Sequence, residues 1–414
     1  MIIRNPTSKT RRELSDFYLN NQIVGANIPW YHCGWDYGTT SYGTDSGGFF
    51  PTNGYYEQFW KDSFSRLRTM GGNTARTWVF FDGRGAPNLS GNYPYDLTEG
   101  LDADFLKDFI AMLTLAAKPG IDIQVIPALW SFEAMDDKVK YDSNGKTLNY
   151  TKTLGEHRAL FSDTDKQDAF VEKALKPLLQ EVKDKGLQDT ILAWDIINEP
   201  EWRLKGPHGP VDQFTKAPDK DLVQVADMQR FVGKCAIAIH EAGFLATLGS
   251  AQARWNFENA ANAAYYSAGW GCTNFWNDAD LRSAAGNNDK AFLDIYQVHY
   301  YDYMRDQDTY KSPNDVYSKD GRSAEYYLDT DPGKKRPLLL GEGKTSDVVQ
   351  TSKDNAKLKI AHSKNKKYAG VLFWSFDNGT YEADLAAKAG VNNPNRKYPS
   401  SDLGNYTYFE DLSH

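Results

Sequence analysis

Short apolar runs recur along this chain, each closed by a polar residue, a glycine or a proline. Eight of them have strand length: Ile23–Ile28, Asn73–Val79, Asp122–Leu129, Thr190–Ile197, Leu245–Ser250, Leu293–His299, Pro337–Gly341 and Gly370–Phe376. Runs that are apolar on both faces are the pattern of buried parallel strands. Between most of them the apolar period lengthens to that of a helix, as in Leu101–Ala117, Asp165–Lys185 and Leu222–Ala242. In the last of these, Val225, Met228, Phe231, Val232, Cys235 and Ile239 form one stripe and Gly243 supplies a stop. Strand–helix alternation repeated eight times predicts an α/β fold, a closed (β/α)8 or TIM barrel. No repeat of fixed period is visible, which argues against a solenoid or a propeller.

The connections are unequal. Pro29–Tyr56, Phe80–Glu99, Ser131–Ser162, Glu201–Lys220, Ala251–Asn288 and Tyr300–Lys335 are long and rich in Gly, Asn, Asp and aromatic residues. All follow strand C-termini, the face on which barrel enzymes build their sites. Connections to the opposite face, such as Lys118-Pro119-Gly120, are short. With no linker or low-complexity stretch, residues 1–414 read as a single domain, 397–414 being a C-terminal extension packed on the barrel.

Two strand ends carry candidate chemistry. Trp194-Asp195-Ile196-Ile197-Asn198-Glu199-Pro200 runs from an apolar strand into an amide and a carboxylate, and Pro200 ends the ladder. Arg336-Pro337-Leu338-Leu339-Leu340-Gly341-Glu342-Gly343 repeats the design, with glycines on either side of the carboxylate. Glutamates that end two separate strands can face each other across a barrel mouth. Hydrolysis of a glycosidic bond needs such a pair, one carboxyl protonated to donate to the leaving oxygen and the other ionised.

Composition narrows the partners. The net charge of −8, without a basic stripe, argues against nucleic acid and against an anionic membrane surface. No apolar run approaches the roughly 18 residues of a transmembrane span, and the N-terminus lacks the apolar core of a signal peptide. Aromatic residues make up 14% of the chain, and many sit among loop residues, as in Trp30-Tyr31-His32-Cys33-Gly34-Trp35. Such rings suit a cleft that stacks sugar faces while polar neighbours hold hydroxyls. Cys33, Cys235 and Cys272 do not make a disulfide framework; free thiols are expected, with a Cys33–Cys272 bridge conceivable. His157, His208 and His240 have no partners at metal-ligand spacing, so neither a catalytic metal nor a cofactor is expected, though an Asp-rich loop could hold a structural calcium.

Five motifs together carry a resemblance: Gly71-Gly72-Asn73-Thr74-Ala75-Arg76, Trp194–Glu201, His299-Tyr300-Tyr301, Gly341-Glu342 and Phe373-Trp374-Ser375. Their order resembles glycoside hydrolase family 5, the clan A retaining β-glycosidases, from Gly25 to Asp377. Ile126-Pro127-Ala128-Leu129-Trp130 and the Trp-rich first loop resemble the endo-β-1,4-mannanases most. Many family members carry His where this chain has Trp130, and mannanase-like members often carry Trp. The resemblance implies Glu199 as acid/base, Glu342 as nucleophile and Asn198 as a ligand of the substrate 2-hydroxyl. It also implies Arg76, His299 and Tyr301 (or Tyr300) as the shell of the nucleophile, and Trp374 as the platform under the sugar. A guanidinium beside Glu342 would keep it charged, and apolar neighbours such as Trp194 and Trp202 could raise the pKa of Glu199. Retention implies carboxyl groups ~5–5.5 Å apart.

Each assignment competes with a plainer one. Arg76 could be a structural ion-pair partner, His299 a core histidine, and Trp374 barrel packing. Asp195 is expected to face away from the site and pair with a helix, and Glu133, Asp136 and Asp137 to form a solvated acidic turn. Trp30, Trp35, Trp130, Trp202, Trp255, Trp270 and Trp276 are candidates for sugar subsites. The expected activity is double-displacement cleavage of mannan-type polysaccharide by a monomer, with extracellular action implied by the substrate class. Alternatives are a β-1,4-glucanase, an exo-β-mannosidase and a non-catalytic carbohydrate-binding barrel. A phosphate-binding barrel enzyme would need a richer glycine loop than Asn378-Gly379-Thr380.

Overall fold

The computed structural model describes residues 10–29, 36–37, 57–81, 100–101, 103–135, 158–206, 209–211, 222–252, 255–256, 273–300, 336–343, 360–361, 363–365 and 367–376. Eight strands form the barrel: β1 (Ile23–Asn27), β2 (Thr74–Phe81), β3 (Gln124–Ser131), β4 (Trp194–Asn198), β5 (Ala246–Ser250), β6 (Ile295–Tyr300), β7 (Leu338–Gly343) and β8 (Gly370–Phe373). Each pairs in parallel with its chain neighbours and β1 closes on β8. The eight strands and the (β/α)8 architecture expected from the periodicity are present, with boundaries moved by a few residues.

Helices surround the barrel: α1 (Arg11–Asn20), α2 (Glu57–Thr69), α3 (Ala103–Ala116), α4 (Arg158–Ser162), α5 (Thr164–Phe170), α6 (Lys176–Asp184), α7 (Val225–Glu241) and α8 (Asp278–Ala284). A π turn, Val171–Leu175, joins α5 to α6 just before Pro177, which has no N–H to continue the ordinary ladder. Met228, Phe231, Val232, Cys235 and Ile239 of α7 are buried as its stripe requires, and Cys235 is a free thiol. No helix among the described residues is long and apolar enough to cross a membrane.

The barrel interior has two halves. At the N-terminal end, Ile23, Ile126, Leu192, Ile295, Leu339 and Leu372 pack together, and Leu14 and Tyr18 of α1 close them from below. A capping box starts α1: the Thr10 hydroxyl accepts from the Glu13 amide and the Glu13 carboxylate accepts from the Thr10 amide. Higher up, the inward positions become Asn27, Arg76, Asp195 and Gln297, all fully buried. The polar layer begins where the apolar plug ends.

Three strands slip register in this upper half. The slips lie between Trp78 and Phe81 on β2, Asp195 and Asn198 on β4, and Leu340 and Glu342 on β7. An extra residue in a ladder re-aims the side chains beyond it. Strict alternation from Leu339 would send Glu342 outward to the helices; the extra residue on β7 places it opposite His299 of β6 instead. The extra residue on β4 likewise turns Asn198 inward, where its amide donates to the Ser131 hydroxyl of β3.

Candidate active site

Arg76, on β2, is the centre of the polar layer and is fully buried. Its Nε and Nη2 lie 2.8 and 2.7 Å from Asp195 Oδ2. Its Nη1 donates to Glu342 Oε1 at 2.7 Å and to Asn27 Oδ1 at 2.9 Å, and Nη2 donates to Asn198 Oδ1 at 2.7 Å. The guanidinium face lies over the Trp78 ring, 4.4 Å from its centroid. Burial alone would lower the pKa of this group, but Asp195 and Glu342 hold it above its ordinary value. It is therefore a fixed cation with two carboxylate partners.

Asp195 corrects an expectation. It does not face a helix; it points into the barrel and accepts from Arg76, from Gln297 Nε2 at 2.7 Å and from the Gly249 amide at 3.0 Å. Simple alternation already placed it opposite Ile196, so the error lay in which face was taken as the interior. Gly249 of β5 has no room for a side chain, since a Cβ there would stand 2.7 Å from Arg76 Nη2. Gly341 is constrained in the same way by Gln297, at 2.3 Å.

Glu199 and Glu342 come from different strand ends and meet. One oxygen of each lies, with a ring nitrogen of His299, in a group whose atoms are all within 4.8 Å of one another. Glu342 is almost wholly buried, while the Glu199 side chain keeps 15% of its surface open to the mouth. Glu199 takes a left-handed backbone conformation, φ 48° and ψ 46°, which is uncommon for a residue with a side chain. Its amide donates to the Gly249 carbonyl at 2.6 Å. Trp202 Nε1 donates to its Oε2 at 3.0 Å, and His299 Nδ1 lies 2.7 Å from its Oε1.

His299 is buried and stands between the two carboxylates, with Nδ1 also 3.6 Å from Glu342 Oε2. Burial, together with the Arg76 charge, pushes its pKa down to about 4 against the pull of Glu342 and Asp195. The neutral ring can donate Nδ1–H to an ionised Glu199, or accept from a protonated one as the other tautomer. Its direct partner is thus Glu199 more than Glu342, which refines the role taken from the motif. Two carboxylates and an imidazole are also a plausible donor set for a divalent ion. A cation there would face the Arg76 charge at Glu342, so the set suits proton transfer better.

The aromatic residues divide. Trp374 is half-buried and stands edge-on to Trp78 with centroids 5.5 Å apart, next to the pocket. Trp202 is half-buried beside Glu199. Trp130 is a correction: it is fully buried among Phe80, Phe170 and Phe161, with centroids at 5.1, 5.6 and 5.8 Å, and cannot reach a sugar. Upper β3 keeps register with β4, so Ser131 rather than Trp130 faces the mouth. Trp255 and Trp276 are also buried. Trp30, Trp35, Trp270 and Tyr301 lie outside the described residues, as do Cys33, Cys272, Asp136 and Asp137. Glu133 is half-buried and accepts a hydrogen bond from Ser131 rather than standing free in solvent.

One buried carboxyl closes the Trp194–Glu201 motif but has no role in the sequence reading. Glu201, in the 3-10 turn Pro200–Arg203, is fully buried and accepts from Ser250 Oγ, Trp276 Nε1 and the Ala251 amide. Burial pushes its pKa up to about 7, against those three hydrogen bonds. Only its position after Pro200 in the strand-exit motif marked it in the sequence.

No protein-family model matches the chain. It is similar to a mannan endo-1,4-beta-mannosidase of Mytilus edulis, 26% identical over 293 residues, 68% of this chain and 68% of that protein. A mannan endo-1,4-beta-mannosidase of Cryptopygus antarcticus is 24% identical over 384 residues, 88% of this chain and 84% of that one. Among solved structures, the beta-1,4-mannanase of the sea hare Aplysia kurodai superposes with a TM-score of 0.58 at 20% identity, covering 89% of this chain and 91% of that one. In sequence and in barrel fold the chain is mannanase-like, in keeping with the resemblance to glycoside hydrolase family 5 that its motifs carry.

Proposed function

We propose that the protein is a retaining endo-β-1,4-mannanase, working as a single-domain monomer on mannan-type polysaccharide outside the cell, with Glu342 as nucleophile and Glu199 as acid/base. The observation that carries the reading is the convergence of two carboxylates with unlike surroundings. One is locked to a buried guanidinium at 2.7 Å, and the other is open to the mouth beside a neutral imidazole. Their closeness, with one oxygen of each inside a group spanning at most 4.8 Å, supports the short carboxylate spacing of retaining enzymes, roughly 5 Å, over the wider spacing of inverting ones. Similarity to two mannan endo-1,4-beta-mannosidases supports mannan as the substrate.

The groups then act in sequence. Arg76 and Asn27 keep Glu342 ionised and aimed, so that one of its oxygens attacks the anomeric carbon. Glu199 gives its proton to the departing oxygen, while neutral His299, in its Nδ1–H tautomer throughout, donates to Glu199 Oε1 and stabilises the carboxylate that forms. The base step reverses this: Glu199 takes a proton from water, and the hydroxide oxygen displaces Glu342 with the β configuration kept. In this reading Asn198, which accepts from Arg76 and donates to Ser131, binds the 2-hydroxyl, and Trp374 serves as the platform under the sugar.

Incubation with mannan, glucomannan and defined β-1,4-gluco- and manno-oligosaccharides, with sizing of the products and NMR of the first anomer formed, tests this. Manno-oligosaccharides of mixed length in the β form are expected. Release of mannose alone would mean exo action, preference for gluco-oligosaccharides would change the substrate, and a first-formed α-anomer would end the retaining mechanism.

A further inference from the structure

The turn that carries the proposed acid/base is fastened at a point the reaction does not touch. Glu199 ends β4 in a left-handed conformation and Pro200 starts a single 3-10 turn, so the next side chain, Glu201, is thrown back toward the end of β5. Its Oε1 accepts from Ser250 Oγ at 2.6 Å and from Trp276 Nε1 at 2.8 Å, and its Oε2 accepts from the Ala251 amide at 3.0 Å. The other end of the turn holds Trp202, whose Nε1 donates to Glu199 Oε2. Together with the bond from the Glu199 amide to Gly249, the turn is pinned to β5 at two places.

A fully buried carboxyl is costly, and an apolar side chain of the same size would fill the space more cheaply. An apolar group could not satisfy the Ala251 amide and the Trp276 indole. Nor could it hold the backbone of Glu199 in a conformation that its own side chain disfavours. We propose that Glu201 is a positioning residue for the hydrolysis: through Ser250, Ala251 and Trp276 it holds the Pro200–Arg203 turn against β5 and so sets where the Glu199 carboxyl stands. The inference rests on the reading of Glu199 as the acid/base. It extends that reading to a residue that touches neither sugar nor reacting atom. The raised pKa of Glu201 is compatible with it, because a protonated carboxyl can donate to Ser250 Oγ while its oxygens still accept from the indole and the amide.

A glutamine has the right shape and the wrong hydrogens: whichever way its amide is turned, its NH2 faces either the Ala251 N–H or the Trp276 N–H. The test compares the full chain with Glu201→Gln and Trp276→Phe on mannohexaose and on 2,4-dinitrophenyl β-mannobioside, reading kcat/KM for each. The dinitrophenolate leaves without a proton, so only the first substrate feels a displaced acid. Glu201→Gln should lose about 30-fold on mannohexaose and about threefold on the aryl glycoside, as a misplaced general acid predicts. Trp276→Phe should show the same split, about fivefold against less than twofold. Equal losses on both substrates, or no loss, would overturn the positioning role. If Glu201→Gln does not fold, Trp276→Phe and Ser250→Ala decide, and a flat ratio in both overturns the proposal. A wild-type protein inert on both substrates would instead remove the glycosidase reading and this inference with it.

Discussion

The two ends of the barrel interior use the same strands for opposite purposes. Below, Ile23, Ile126, Ile295, Leu339 and Leu372 meet the underside of α1 in an apolar cluster. Above, a few residues further along the same strands, Asn27, Arg76, Asp195, Gln297 and Glu342 carry charge and directed hydrogen bonds. The lower half can tolerate a change of shape at a cost in stability alone. The upper half is a network in which each partner was desolvated to meet another, so one substitution leaves a buried charge exposed to nothing. Position along a strand therefore separates residues that hold the fold from residues set for chemistry.

The comparison can be broken most directly at Glu342. Glu342→Ala should lower kcat by more than about 10⁴-fold while the far-UV spectrum stays that of the wild type, because the nucleophile is lost without disturbing the lower layer. Wild-type-like turnover would remove the assignment. Next in size, Glu199→Gln should cost about 10²–10⁴-fold on unactivated mannans and much less on glycosides with good leaving groups. Equal losses would contradict the acid role.

Asp195→Asn probes whether the upper layer is a single unit. It leaves Arg76 with one carboxylate partner, and urea unfolding should show a loss of about 3–5 kcal/mol together with reduced activity. Leu339→Ala is the matched change below. It should cost about 2–5 kcal/mol of stability with kcat within about twofold of wild type in the cold; a large kcat effect would erase the division between the halves.

The smallest effect is one of pH. Glu201 binds its proton more tightly folded than unfolded, so its contribution to stability is full below about 4.5 and fades as pH rises through about 7. His299, with its pKa lowered to about 4, works the other way, stabilising above its unfolded value and losing that as pH falls. The difference between wild type and Glu201→Gln isolates the first: the two unfolding curves should diverge by at most on the order of 3 kcal/mol between pH 4.5 and 8. Parallel curves across that range would mean that Glu201 titrates normally.

Much of this was legible in one dimension. Period-two and period-3.6 patterns are local, so eight strands and their helices could be read from neighbouring residues alone, and a proline after Glu199 marks a strand end whatever the rest of the molecule does. The same local chemistry singled out both glutamates, since a carboxylate is conspicuous at the close of an apolar run. What could not be read was direction. Strict alternation would turn Glu342 and Asn198 outward and Trp130 inward; one-residue slips on β7 and β4 reverse the first two, and Trp130 follows because β3 stays in register with β4. Those slips depend on how neighbouring strands fit around a closed barrel. For the same reason Asp195 and Glu201 passed as ordinary acids until folding brought Arg76 to one and Ser250, Ala251 and Trp276 to the other. A residue type reports what a side chain can do, but only its long-range partners decide what it faces.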